Sequence, residues 1–177
     1  MGRTRDFERQ VLPHLDAACN LARWLVRDEQ AAEDIAQEAA LRAFRHFANL
    51  RGDDARPWLL GIVRNACMTW LAARHRSPEV QAAPEDDHDD AAPLFDAPAG
   101  ADPLAHLEGD ELRRAIDAAL RALAPVYREV VVLRELEGLS YADIARIVAV
   151  PAGTVMSRLS RGRALLRVAL ASARSGK

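Results

Sequence analysis

Lysine is nearly missing from this chain of 177 residues: every cation except Lys177 is arginine. Aromatic residues are scarce at 5%, although half the residues are hydrophobic. No run approaches the roughly 20 uninterrupted apolar residues of a membrane span. The N-terminus is rich in Arg, Asp and Glu rather than built like a signal peptide, so a cytoplasmic protein is expected. Only two cysteines occur, Cys19 and Cys67. Neither sits in a Cys-x-x-Cys pair and the five histidines are scattered, which favours buried thiols over metal or redox chemistry. There is no phosphate-cradling glycine loop, no metal-ligand cluster and no Ser/His/Asp set. The expectation is therefore a non-enzyme, with no catalytic residue, metal, cofactor or small-molecule substrate.

What is present is Ala, Leu, Val and Arg; of these Ala, Leu and Arg are among the best helix formers. The net charge of −2 conceals a segregated pattern. Residues 1–77 carry 12 Arg against 10 acids, residues 78–111 carry 11 acids and no Lys or Arg, and residues 112–177 carry 12 bases against 5 acids. A basic C-terminal third suits a nucleic-acid partner.

Residues 5 to about 27 read as helical, interrupted or restarted at Pro13. Asp28 caps a second helix with an apolar stripe of Ala32, Ile35, Ala36, Ala39, Ala43, Phe44 and Phe47. Its other face carries Glu33, Asp34, Gln37, Glu38 and Arg42. After a turn at 49–54, Pro57 stands where a first helical residue belongs and opens a third helix through about Arg76. Leu59, Ile62, Val63, Ala66 and Trp70 are its core candidates. Residues 78–107 have the composition of a flexible acidic linker, with Leu94 and Phe95 its only bulky apolar pair. Helical pattern resumes near Glu108 with Leu112, Ile116, Leu120 and Leu123, then from Pro125 with Val126, Val130, Leu133 and Leu136. The fold class is all-α: an N-terminal helix bundle (1–77) and a C-terminal four-helix domain (108–177) ending in a helix-turn-helix.

That last motif spans Gly138 to Leu170. Ser140 is an N-cap with Asp143 in the capping-box position, and Val150-Pro151 breaks the helix. On the second helix Val155, Leu159, Gly162 and Leu166 fall on one side, whereas Gly153, Thr154, Ser157, Ser160, Arg161 and Ala164 fall on the other. Arg158 lies on one flank, and Met156, Arg163 and Arg167 on the other. Short polar side chains between arginine rims suit a helix laid in a DNA major groove.

Gly-Leu-Ser-Tyr-Ala-Asp-Ile-Ala (138–145), with the Val-Pro-Ala-Gly-Thr-Val-Met-Ser-Arg-Leu-Ser-Arg-Gly-Arg run (150–163), resembles the fourth conserved region of bacterial RNA polymerase sigma factors of the extracytoplasmic-function (ECF) group. Ala-Glu-Asp-Ile-Ala-Gln-Glu-Ala (32–39) and Arg-Pro-Trp-Leu-Leu-Gly-Ile-Val-Arg-Asn-Ala-Cys (56–67) resemble the second region of the same group. The resemblance covers about 1–77 and 108–172, and implies a promoter-specificity subunit whose second region binds the polymerase clamp and melts the −10 element. Its fourth region would bind the −35 duplex and touch the polymerase flap.

Asp34, Gln37 and Glu38 would meet the clamp. Asn65 matches the family's base-contacting asparagine, with Arg64, Arg74 and Arg76 on the strand backbone, while Trp58 and Trp70 fit core packing by their spacing. At −35, Met156, Ser157 and Ser160 are base-edge candidates, Arg158, Arg161 and Arg163 phosphate or guanine contacts, and Thr154 opens the same face. Met156 departs from members with arginine there, and cannot make arginine's bidentate guanine contact. Ala149 departs from members with glycine. The linker is either a solubilising spacer or a nucleic-acid mimic in the polymerase cleft. An anti-sigma partner that clamps or separates the domains is also implied. A LuxR-type helix-turn-helix regulator is the alternative, but its usual companion is an α/β domain and residues 1–77 show no strand pattern.

Overall fold

A computed structural model describes residues 2–52, 54–76 and 103–175, and every regular element among them is helical. The acidic run, with Leu94 and Phe95, lies outside these residues. The N-terminal stretch divides at Pro13 into α1 (Gly2–Gln10), a 3₁₀ turn (Leu12–His14) and α2 (Leu15–Val26). Arg27 ends α2 in the left-handed region (φ 59°). Asp28 follows in extended conformation, and its carboxylate accepts the Ala31 N–H at 2.9 Å to start α3 (Glu29–His46). Ala32, Ala36, Ala39 and Ala43 of α3 are buried, and such small side chains let neighbouring helices approach closely. Phe7 closes the end of the bundle edge-on against Phe44 and Phe47, with centroids 5.1 and 5.5 Å away.

Helix α4 (Ala55–Arg76) begins two residues before Pro57, because the Asp54 carboxylate accepts the Arg56 N–H at 3.1 Å. Pro57 therefore sits within the first turn, where a missing N–H costs nothing. Helix α5 (Pro103–Ala122) likewise starts five residues earlier than Glu108. In α6 (Pro125–Val131) proline takes the first-turn position as expected. A π-helical turn (Val132–Leu136) extends it, closed by the Glu137 N–H donating to Val132 O at 3.0 Å. Gly138 (φ 63°) then reverses the chain. The expected stripe shifts here: Val126 is exposed, whereas Val130, Val131, Val132 and Leu133 are all buried.

Ser140 caps α7 (Tyr141–Val148) by accepting the Asp143 N–H at 3.1 Å, and its hydroxyl donates to Asp143 Oδ2 at 2.5 Å. Ala149 ends α7 at φ 56°, ψ 45°, a left-handed conformation in which a Cβ is strained. Ala149→Gly is therefore expected to stabilise the chain by roughly 0.5–1 kcal/mol, read as a higher urea midpoint at an unchanged slope. Helix α8 (Ala152–Ser175) buries Val155, Leu159 and Gly162 on the face that its periodicity indicates.

The two helical units share one continuous core. Helix α4 packs on α7, and α2 on α6. Leu60 is fully buried, although α4 already places Leu59 and Val63 in the N-terminal bundle. Arg56, Leu60 and Arg64 recur every four residues, so they line a second face of α4, and both arginines pair with carboxylates of the C-terminal unit. Burial pushes the Cys67 thiol up to about 12 and raises that of the half-buried Cys19. Both cysteines are poor nucleophiles, as their isolation in the sequence suggests.

Candidate nucleic-acid interface

The outer face of α8 is built from small polar side chains because its inner face is fully committed to the core. Met156 (52% exposed), Ser157, Ser160, Arg161 and Ala164 lie open, and Thr154 is half-buried at the start of the helix. Ser157, Ser160, Arg161 and Ala164 line one shallow surface groove with Leu165 and Val168. The Ser157 hydroxyl donates to Thr154 O at 3.0 Å, which leaves its oxygen outward as an acceptor. That polarity suits an exocyclic amino group of cytosine or adenine.

Arg158 and Arg163 of the helix are engaged. Arg163 donates through Nε to Glu135 Oε1 at 2.9 Å, and this hydrogen bond holds its guanidinium even above the ordinary arginine range. Arg158 is only 24% exposed and lies 3.5 Å from Glu129 Oε1. It turns onto Glu129 of α6 rather than lining the open groove.

Helix α4 divides its sequence-predicted residues in the same way. Asn65 and Arg76 are exposed and lie eleven residues apart, three full turns, so they share one face. Thr69 stands between them, its hydroxyl donating to Asn65 O at 3.0 Å. Arg74 is on the opposite side: its guanidinium covers the Trp70 ring at 5.2 Å and lies 3.7 Å from Asp28 Oδ2. Arg64 turns inward, donating through Nε to Glu129 Oε2 at 3.0 Å. Trp58 and Trp70 are half-buried against the core. On α3, Asp34, Gln37 and Glu38 are all exposed, and Arg42 lies 3.3 Å from Glu38 Oε1.

Three residues at the centre of this arrangement were not legible in the sequence. Glu129 is 3% exposed and takes an arginine from each unit, Arg64 and Arg158. Glu137, 5% exposed, pairs with Arg56 at 2.6 Å. Arg128, 5% exposed, donates to the carbonyls of Leu120, Arg121 and Leu123 at the end of α5, and to Trp24 O near the end of α2. A cation between two helix C-termini complements both dipoles. Burial, with Arg27 and Arg121 nearby, lowers its pKa to about 10, so it stays charged at neutral pH. Charged residues beside an apolar stripe normally face water, and nothing in the Tyr127-Arg128-Glu129 run marks these as buried.

The Sigma-70 region 2 pattern matches residues 11–77, and the Sigma-70, region 4 pattern matches residues 113–166. The RNA polymerase sigma-H factor of Pseudomonas aeruginosa is 35% identical over 175 residues, covering 96% of this chain and 88% of that protein. The ECF RNA polymerase sigma-E factor of Escherichia coli K12 is 34% identical over 134 residues, covering 73% and 69%. Among solved structures, the sigma factor RpoE of Bartonella quintana, in complex with the anti-sigma factor NepR, matches with a TM-score of 0.70 at 29% identity, covering 94% of this chain and 97% of that one.

Proposed function

The chain belongs to the extracytoplasmic-function group of sigma-70 factors, and from that premise we propose how its parts divide the work of promoter recognition. Residues 1–77 would bind the polymerase clamp and open the −10 element, and residues 108–177 would bind the −35 duplex and the flap. The observation that carries this reading is that both regions occur in one chain, each ending in a helix with an open polar face and an exposed arginine. The alternative, a LuxR-type regulator, leaves the region 2 match of residues 11–77 without a role.

At −35, Ser157 and Ser160 would face base edges and Arg161 would take a phosphate or guanine. Met156 offers an apolar contact of the kind a thymine methyl accepts, in place of arginine's guanine contact. At −10, Asn65 would hydrogen-bond an extruded base, with Arg76 rather than Arg74 holding the strand beside it. Capture of an unstacked base offsets an unstacking cost of a few kcal/mol without ATP. Asp34, Gln37 and Glu38 present a polar and acidic face to an arginine-rich clamp. An anti-sigma partner is supported by the bound NepR of the Bartonella quintana relative. Among the described residues no helix is long and apolar enough to cross a membrane.

Asn65→Ala separates the two roles. With core polymerase, permanganate reactivity of −10 thymines is expected to fall about tenfold or more, the scale of 1–3 kcal/mol for a lost base contact. Protection of the −35 duplex should be unchanged. Normal permanganate reactivity would remove Asn65 from the −10 contact.

A further inference from the structure

We infer that Glu135 sets the selectivity of the −35 helix: it holds Arg163 out of general phosphate binding, so that base contacts rather than charge decide where α8 settles. The inference rests on the assignment of α8 to the −35 element. Helix α8 brings five arginines and no acidic residue between Ala152 and Ser175. Left unopposed, such a helix would take the phosphates of any sequence, since each neutralised phosphate adds affinity without adding discrimination. The acid that opposes it comes from outside the helix. Arg163 donates to Glu135 Oε1 through Nε at 2.9 Å and through Nη2 at 2.5 Å. Both side chains stay open to water, at 43% and 45% exposure, so the pair lies where a phosphate would arrive. A carboxylate there neutralises the arginine and repels the phosphate.

The fold places this pair. Gly162 lets α8 cross α6 closely, at a point where an added Cβ would stand 2.7 Å from Val131 Cγ2. The next residue of α8, Arg163, therefore meets Glu135, four residues beyond Val131 in the π-helical turn. Arg134 anchors the exit of that turn, donating to Leu139 O at 2.7 Å and covering the Tyr141 ring at 4.8 Å. Glu135 first, and then Tyr141, favour the charged guanidinium, so Arg163 remains a cation whose charge is answered locally. Met156, Arg163 and Arg167 share one flank of α8, and Met156 stands two turns, about 10 Å, before Arg163. With Arg163 held, discrimination falls to Met156 and to the exposed Ser157, Ser160 and Arg161. Releasing Arg163 would add one phosphate contact, which steepens the salt slope by about 0.9 and carries no sequence information.

Two measurements on the full chain test this. The first follows binding to a short random-sequence duplex by fluorescence anisotropy, without polymerase. Glu135→Gln is expected to bind about threefold more tightly than wild type at about 50 mM salt, with a slope steeper by about 0.9, so that the gain is gone by about 200 mM. In an Arg163→Gln background the same change should leave the slope unaltered, because no guanidinium is freed. A merely structural role has the opposite sign, since a loosened crossing of α8 over α6 binds more weakly. Unchanged or weaker binding by Glu135→Gln, or equal steepening without Arg163, would overturn the inference. The second measurement adds core polymerase and a promoter mapped by its RNA 5′ ends. Glu135→Gln is expected to lower discrimination against a scrambled −35 block about threefold or more, on the same scale. Undiminished discrimination would overturn the inference. If the wild type itself does not distinguish the two blocks, the −35 assignment fails, and the random-sequence duplex still decides whether Glu135 restrains Arg163.

Discussion

Replacing Arg128 by Ala is expected to destabilise the chain by about 3 kcal/mol or more, the cost of stripping a buried cation from acceptors that cannot then reach water. Its guanidinium serves the Leu120, Arg121 and Leu123 carbonyls within 3.0 Å and Trp24 O at 3.4 Å. Three of these lie at the end of α5, where Leu120 O also accepts the Leu123 N–H at 3.2 Å, and the fourth belongs to the other unit. Arg128→Lys should rescue little, since one ammonium cannot reproduce a planar fork that donates in several directions. Urea unfolding followed by circular dichroism measures both variants. A loss below about 1 kcal/mol for Arg128→Ala, the worth of a single ordinary hydrogen bond, would mean that water takes over those carbonyls.

Gly162→Leu carries the second large effect. A Cβ at this position would stand 2.7 Å from Val131 Cγ2 and 3.6 Å from both Tyr127 Cβ and Tyr127 O. The crossing of α8 over α6 thus depends on a missing side chain, and α8 is the helix that carries the −35 face. Overpacking of this kind costs about 1–3 kcal/mol or more, and 3 kcal/mol lowers Tm by about 10 °C for a chain of this size. Gly162→Ala is smaller in effect because better helix propensity offsets part of the clash. Combining it with Val131→Ala should recover stability beyond additivity, since the two changes share one contact. Additive losses would place the strain elsewhere.

How far the sequence reaches depends on how local the cause is. The caps at Asp28 and Ser140 are legible because a side chain bonds a backbone N–H three residues away. The buried face of α8 is legible because Val155, Leu159 and Gly162 repeat at helical spacing. Pro57 misleads by two residues, since Asp54 is the stronger start signal and proline is tolerated throughout the first turn. Leu60, Arg64, Glu129 and Arg158 are illegible for a different reason. Their surroundings are set by contacts between different helices, 65 residues apart for Arg64 and Glu129, and no periodicity within one helix encodes a second buried face. The sequence thus names Arg64 and Arg158 by their motifs, while only the structure shows both turned onto Glu129.

Reconstituted transcription on genomic DNA, with RNA 5′ ends sequenced, tests the sigma assignment most directly. Core polymerase with this chain is expected to yield new 5′ ends that neither component yields alone, each preceded by two short sequence blocks at near-constant spacing. Tight DNA binding by the chain alone, with no core-dependent 5′ ends, would contradict it.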